Sequence, residues 1–310
     1  MKSIDVRLMW QGRDHHGAVK VWTRILENFG YSLNEITSRY SAVDLEIVGS
    51  FAPRYRKVAN IVSTIIQGNY PFGTLDFDLK TKGVAWPKRI PNTKLRIWVS
   101  GENIRPPAGE DFDLFFSHDR DAFIEGNIYF PYIYQSLGIF GQLDSNKISI
   151  KYKPENFLRS RQLNSKDKFV CVFMSNPTSV RISAIKELSK YGQVDVFGNA
   201  MKAGVEDKFE AGKEYKYMLA FENDLYPGYV TEKLPEAFAS GAVPLYWGDL
   251  GNYDFLNQNC FINLCNFKSV KDFSYHVAQI DESQYAKIHA EPLLNKLPNI
   301  KSVVKILSNL

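Results

Sequence analysis

Cysteine, net charge and membrane-spanning segments are all scarce in this chain of 310 residues. It has only three cysteines, an odd number that excludes a disulfide framework. Its 38 Lys and Arg against 34 Asp and Glu leave a net charge of +4, too small for a protein dedicated to nucleic acid. With 45% hydrophobic residues, a chain of this length buries a large core without metal or disulfide staples. We therefore expect a globular protein of about two domains.

No segment has the pattern of a membrane span. The longest uncharged run, residues 126–143, is interrupted by Gly, Pro, Asn and Gln, and it predicts a buried strand and loop. The first ten residues do not resemble a signal peptide. The basic amphipathic segment 296–310 is expected to form a helix that packs on the body. We expect a cytoplasmic protein whose contact with a membrane is at most peripheral.

Short apolar segments alternate with helical segments throughout the chain. Strands are predicted at residues 4–10, 45–48, 95–99, 113–116, 127–130, 169–174, 194–197, 217–221, 243–247 and 260–264. Helices are predicted at residues 18–29, 55–67, 178–191 and 232–240. This alternation is typical of parallel sheets covered by helices on both faces. With the polar stretch 151–167 as a connection, it predicts an α/β protein of two doubly wound domains, with ligands at the carboxyl ends of the strands.

The richest segment reads FENDLYPGYVTEKLPEAFASGAVPLYWGD and predicts a strand, a loop, a helix and a strand. Thr231 has the residue type of an N-cap, and Glu232 and Lys233 would open the helix. A helix N-terminus beside a lysine suits a phosphate group. Alternatively, Glu232 only complements the helix dipole and Lys233 is solvated.

Two further segments join a predicted strand to a polar loop. In MSNPTSVR, Arg181 lies in the first turn of a helix, from which its planar guanidinium could clamp a diphosphate. The alternative is an arginine on a solvated helix face. In WVSGEN, Glu102 follows a strand and could act as a general base; alternatively, it caps a turn.

Together, these segments resemble the α1,3/4-fucosyltransferases of glycosyltransferase family 10. The resemblance lies in Phe221-Glu222-Asn223, Tyr229-Val230-Thr231-Glu232-Lys233, Val243-Pro244, the SNP…R element that ends at Arg181 and the turn Ser100-Gly101-Glu102-Asn103. It runs in order over roughly residues 1–270 and is strongest from 170 to 250. It implies a GT-B fold: an acceptor-binding domain at 1–155, a donor-binding domain for a GDP-sugar at 156–282 and a C-terminal helical segment at 283–310.

The resemblance also implies roles for individual residues. Arg181 and Lys233 would hold the diphosphate and Glu232 the ribose hydroxyls. Glu102 would be the general base facing the acceptor hydroxyl. The donor pocket would further be lined by Asn223, Tyr229 and Thr231.

The implied reaction is inverting transfer of L-fucose from GDP-β-L-fucose to an acceptor glycan, expected to be O3 of GlcNAc in an N-acetyllactosamine-type oligosaccharide. No metal or other cofactor is expected to be required, and a divalent metal would at most stimulate. The acidic D-x-D pairs at 76–78 and 111–113 are expected to have structural or surface roles. Two alternatives stay open: another GDP-hexose as donor, or a catalytically silent glycan-binding protein.

Overall fold

The computed structural model describes residues 1–9, 14–38, 40–50, 86–120, 124–140, 153–198, 208–251 and 253–310. Within these ranges the strands form two sheets, and every strand pair in both sheets is parallel. The first sheet contains β1 (Lys2–Met9), β2 (Tyr31–Glu35), β3 (Leu45–Gly49), β4 (Leu95–Val99), β5 (Leu114–Ser117) and β6 (Asn127–Tyr129). The second sheet contains β7 (Lys168–Phe173), β8 (Val194–Phe197), β9 (Tyr215–Phe221), β10 (Val243–Trp247) and β11 (Ile262–Asn263).

Helices connect the strands and follow the second sheet. They are α1 (Asp14–Asn28), α2 (Ile133–Ser136), α3 (Ser179–Leu188), α4 (Lys208–Gly212), α5 (Lys233–Ala239), α6 (Val270–Gln279), α7 (Glu282–Ala290) and α8 (Lys301–Leu307). The predicted helix at 55–67 and the acidic pair at 76–78 lie outside the described residues. None of the described helices is both long and apolar enough to cross a membrane.

Both sheets are wound in the same way. Their strand orders are β2-β1-β3-β4-β5-β6 and β8-β7-β9-β10-β11. In each sheet the chain first adds a strand on one side and then continues on the other, so the winding direction reverses between β1 and β3 and between β7 and β9. Such a reversal opens a crevice at the carboxyl ends of the two strands, where α/β proteins bind ligands.

The central strands are buried on both faces, as parallel sheets between helices require. All five residues of β3 and all five of β10 are buried. Val6 on β1 lies opposite Leu45 on β3, and Leu45 lies opposite Leu95 on β4. This register aligns apolar side chains across the sheet. It also places one buried charged row beside them, in which Glu46 on β3 pairs with Arg7 on β1 and Arg96 on β4.

Two predicted strand assignments differ from the structure. No strand is predicted at residues 31–35, yet β2 pairs with β1 over five residues, because an edge strand needs only one neighbour and buries only Tyr31. The strand predicted at 260–264 shortens to β11, between two 3-10 turns. The side chains of Asn257 and Asn263 accept the backbone N–H groups of Asn259 and Cys265 there, and such local bonds compete with a strand.

The C-terminal helix α8 contacts the first sheet. Tyr31 donates its hydroxyl to the carbonyl of Ser308 at 3.3 Å, and Val303 and Leu307 are buried in the same core as Tyr31. The helix begins at Lys301, later than predicted, because a proline at position 298 disfavours helical backbone before it. The division of the chain at residues 155 and 282 stays a prediction.

Candidate active site

Arg181 spans the crevice between β7 and β9. It lies in the first turn of α3 and is buried, with 5% of its surface exposed. Its guanidinium donates to the carbonyl of Asn176, which follows β7, at 2.8 Å, and to Oδ1 of Asn223, which follows β9, at 3.1 Å. It also donates to the carbonyl of Phe221. Burial lowers the pKa of Arg181 from its usual value of 12.5, while the Glu222 carboxylate favours its charged form. Arg181 therefore places a fixed positive charge at the switch point of the second sheet, the place between β7 and β9 where its winding direction reverses.

Glu222 follows β9 at the carboxyl edge of the second sheet and is fully buried. Its carboxylate accepts the backbone N–H of Thr231 at 2.8 Å and the Thr231 hydroxyl at 2.7 Å. It also accepts Lys233 Nζ at 3.1 Å and the hydroxyl of Tyr246 at 3.4 Å. The motif placed Glu222 only at the end of a strand and gave it no role. The structure shows that it joins the strand end to the loop before α5.

The prediction that Thr231 caps the following helix is wrong. Glu232 occupies the N-cap position of α5, and no side chain bonds there as a cap. The hydroxyl of Thr231 instead donates to the Glu222 carboxylate and accepts a bond from Lys233 Nζ at 2.9 Å. The bond that the Thr231 hydroxyl donates to the ionised Glu222 carboxylate is stronger than the neutral bond it would accept from a helix N–H group, so the threonine turns inward.

Lys233 is the second cation of the site, with 23% of its side chain exposed. Its Nζ lies 3.1 Å from Glu222 and 3.4 Å from Glu232. Burial lowers the pKa of Lys233, but the Glu222 and Glu232 carboxylates outweigh it, so the pKa of Lys233 is raised above its usual value. Lys233 is therefore a cation at physiological pH, close to the charge of Arg181.

The loop between β9 and α5 contacts the carboxyl edge of the first sheet. Tyr229 donates its hydroxyl to Oε2 of Glu102 at 3.1 Å. Asn103, the next residue in that turn, donates to Asp224 at 3.1 Å. The two sheets thus face each other across this loop, and it brings Glu102 together with the predicted donor residue Tyr229.

His118 lies between these two edges and was not predicted to have a role. It follows β5, is fully buried and meets the ring of Tyr229 edge-on at 4.9 Å. Its Nδ1 accepts the backbone N–H of Tyr132 at 3.3 Å, so the ring is neutral. Burial, together with the charge of Lys233, lowers the pKa of His118 to about 3. No sequence signal marked it, because its neighbours come from other parts of the chain.

The structure predicts an acid-labile fold. His289 is also buried and donates Nε2–H to the carbonyl of Gly241 at 3.0 Å; burial and Arg161 lower its pKa to about 4. Unfolding exposes both imidazoles, which then bind protons below about pH 6.5, whereas the folded protein does not. The free energy of unfolding should therefore fall by up to about 2 kcal/mol per histidine between pH 7 and pH 5.

Urea unfolding curves at the two pH values would measure this effect. His289→Gln should be less stable at pH 7 but should lose less stability on acidification. His276, exposed on α6, provides the matched control, since His276→Gln should leave the pH dependence unchanged. Equal stability of the wild-type protein at pH 7 and pH 5 would contradict the prediction.

The acidic pair at 111–113 has partners of its own. Asp113 accepts Arg89 at 2.9 Å and the backbone N–H of Arg96 at 2.7 Å, and Asp111 lies 3.5 Å from Arg89. These bonds give the pair a structural role in the first sheet. In the described ranges no group of three or more His, Cys, Asp or Glu side chains is placed to hold a metal ion.

Comparison with known proteins then identifies this architecture. Residues 163–290 match the family model of glycosyltransferase family 10 (fucosyltransferase), C-terminal. The chain is also 30% identical, over 206 residues, to the human 3-galactosyl-N-acetylglucosaminide 4-alpha-L-fucosyltransferase FUT3. Residues 163–290 therefore have the sequence of a family 10 fucosyltransferase C-terminal domain. The match to FUT3 covers 63% of this chain and 52% of the human protein.

The chain spans about half, or less, of the length of the curated relatives it matches. A putative fucosyltransferase R654 of Acanthamoeba polyphaga mimivirus is 28% identical over 184 residues, 54% of this chain and 28% of the viral protein. Among solved structures, a crystal structure of an α1,3-fucosyltransferase with GDP-fucose matches with a TM-score of 0.67 and 18% identity, over 100% of this chain and 92% of that one. A DNA-modifying β-glucosyltransferase matches with a TM-score of 0.51 and 13% identity, over 100% and 94%. These structures confirm the GT-B fold.

The family 10 match contains most of the predicted site. Arg181, Asn223 and the Thr231–Lys233 segment gather at the carboxyl edge of the second sheet, inside residues 163–290. Glu102 lies outside the matched residues, on the first sheet, and is brought to this edge by its bond to Tyr229. The roles of these residues in binding and chemistry stay predictions.

Proposed function

We propose that this protein transfers L-fucose from GDP-β-L-fucose to a hydroxyl group of an acceptor glycan. The observation that supports it is the pairing of two cations, Arg181 and Lys233, at the switch point of a family 10 domain, opposite the carboxylate of Glu102. In this proposal residues 156–282 bind the donor and residues 1–155 bind the acceptor. The acceptor group would be O3 of GlcNAc in an N-acetyllactosamine-type glycan.

The residue types suit a direct displacement. The acceptor oxygen forms a bond to C1 of fucose while the bond from C1 to the β-phosphate oxygen breaks, so a β-linked donor gives an α-linked product. Glu102 takes the proton of the acceptor hydroxyl as general base. Arg181 and Lys233 stabilise the negative charge that develops on the departing GDP. The balance needs no covalent intermediate and no metal.

The test is an assay of the purified protein with GDP-fucose and N-acetyllactosamine, in the presence of EDTA because we propose that no metal is required. Release of GDP and an acceptor heavier by one fucose would support the proposal. A panel of GDP-hexoses separates fucose from another donor. Binding of GDP without turnover on a broad acceptor panel would favour a silent glycan-binding protein. If no GDP-sugar raised the melting temperature, the donor assignment would be wrong.

Lys233→Gln should weaken GDP binding by about 10- to 100-fold, as expected for the loss of a contact between two charged groups. Glutamine keeps most of the side-chain length but cannot carry the charge that faces the diphosphate. Isothermal titration with GDP, performed well below the melting temperature of the variant, would measure the change. Lys190→Gln is the matched control, because Lys190 pairs with Glu187 on the exposed surface of the same half. Unchanged affinity of Lys233→Gln would contradict the role of Lys233.

A further inference from the structure

We propose that Tyr229 is a positioning residue for Glu102, so that the donor half of the molecule orients the base carried by the acceptor half. The hydroxyl of Tyr229 donates to Oε2 of Glu102 at 3.1 Å. This inference rests on the proposed function, in which Glu102 takes the acceptor proton. It gives Tyr229 a different task from the donor contact that the family resemblance implies.

The backbone that carries Tyr229 is held from several sides. Its N–H donates to the carbonyl of Tyr226 at 3.0 Å, which closes a turn. The carbonyl of Gly228 accepts the hydroxyls of Tyr129 at 3.1 Å and Tyr253 at 2.7 Å. Gly228 has φ +81°, and a Cβ there would lie 2.3 Å from the carbonyl oxygen of His118. The loop can therefore approach the first sheet this closely only with glycine at position 228.

The side chain of Tyr229 is fixed as firmly as its backbone. It is 3% exposed, and the ring of His118 meets it edge-on at 4.9 Å, a favourable arrangement for two aromatic groups. His118 is in turn held by the backbone N–H of Tyr132. A rigid, buried phenol is a precise anchor for the group to which it donates.

Tyr229 can only donate to Glu102. Burial raises the pKa of Tyr229 well above its usual value of 10.0, and the carboxylates of Glu102, Glu222 and Glu232 raise it further. The phenol therefore keeps its proton at physiological pH. It cannot take the acceptor proton itself, and its contribution is to hold the carboxylate that does.

The Glu102 side chain depends on this bond for its orientation. Its backbone is fixed independently: the Glu102 carbonyl accepts the hydroxyl of Ser100 at 2.6 Å and the N–H of Ile104 at 2.7 Å. In the described part of the chain, Tyr229 is the one hydrogen-bond donor to its carboxylate. Without the phenol, the carboxylate can rotate away from the acceptor hydroxyl, and small errors in position are costly in catalysis.

The position of Tyr229 also connects the two tasks of the site. Glu232 and Lys233 follow it by three and four residues, at the start of α5. The segment that contacts the donor and the hydroxyl that orients the base are therefore parts of one short, buried stretch of backbone.

Tyr229→Phe tests the inference. Tyr285→Phe is the matched control, because it removes another buried tyrosine hydroxyl, one that donates to the carbonyl of Lys216 near the start of β9. For Tyr229→Phe we expect kcat to fall about 10-fold, as for loss of one hydrogen bond to a charged group, with the affinity for GDP within about 2-fold of wild type. The KM for GDP-fucose should stay within about 2-fold of wild type, so that the loss lies in kcat, as expected when an interaction made only in the transition state is removed. Tyr285→Phe should leave kcat, KM and the affinity for GDP within about 2-fold of wild type.

The double variant Tyr229→Phe/Glu102→Gln decides between positioning and donor binding. If Tyr229 acts through Glu102, the double variant should transfer no more than about 2-fold slower than Glu102→Gln alone, because residues acting as a unit are not additive. A full second loss, or a 10-fold weaker affinity for GDP in an active Tyr229→Phe protein, would overturn the inference and leave the proposed function intact. Absence of fucose transfer by the wild-type protein would instead overturn the proposed function.

Discussion

Glu102→Gln should reduce fucose transfer by about 10²- to 10⁴-fold, the range of a lost general base, while the protein still binds GDP. The amide has nearly the shape of the carboxylate, and its carbonyl oxygen can still accept the hydroxyl of Tyr229. The amide cannot, however, take the proton of the acceptor hydroxyl. Only the step that needs a base is removed, so the loss should lie in kcat.

Transfer rates at saturating GDP-fucose and titration with GDP measure the two halves of this prediction separately. Glu110→Gln is the matched control, since Glu110 is exposed in the connection that follows the same strand and should behave like wild type. Equal losses of transfer and GDP affinity would remove Glu102 from the role of base. Unchanged transfer would show that another group takes the proton.

The fold was largely predictable because its signal is local. A buried parallel strand such as β10 consists of continuous apolar residues, and the alternation of such segments with helices limits the topology. Strand β2 was missed because only Tyr31 of its five residues is buried, so its apolar pattern is weak. The shortening of β11 follows from two asparagine side chains that bond to nearby backbone, an outcome that residue type alone leaves open.

The candidate site was only partly predictable, because its pairs are distant in sequence. The motifs picked out the residues at the strand ends, and the structure gathers them at one edge. The contact between Glu102 and Tyr229 joins positions 127 residues apart, and no spacing rule connects them. Thr231 was predicted to cap the helix because its residue type suits an N-cap, but its hydroxyl donates to the buried carboxylate of Glu222. Residue type sets what a side chain can do, and the tertiary fold decides which partner it meets.

Glu222→Ala should destabilise the protein by about 3 to 5 kcal/mol, the cost of breaking a buried ion pair by removing one partner. The carboxylate is fully buried, and burial raises its pKa while Lys233 opposes that shift. Its removal leaves the Lys233 cation near Arg181 without its main counter-charge. It also leaves the N–H and hydroxyl of Thr231 without their acceptor.

Urea unfolding of three variants would separate these contributions. Glu222→Gln keeps an acceptor for Thr231 but removes the charge, so it should lie between wild type and Glu222→Ala. Glu187→Ala is the surface control: its partner Lys190 is half exposed, and such pairs contribute about 0 to 1 kcal/mol. A loss below about 1 kcal/mol for Glu222→Ala, comparable with that control, would contradict the prediction.

The double variant Glu222→Ala/Lys233→Met carries the argument one step further. Replacing both members of a buried ion pair by apolar groups is far less costly than removing one, because no uncompensated charge remains. Stability should therefore recover in part relative to Glu222→Ala, while the affinity for GDP should stay low because the Lys233 cation is gone. Such a result would show that the Lys233 cation is needed to bind GDP and is not needed for stability. The role of Glu222 would then be to hold that cation in the folded protein.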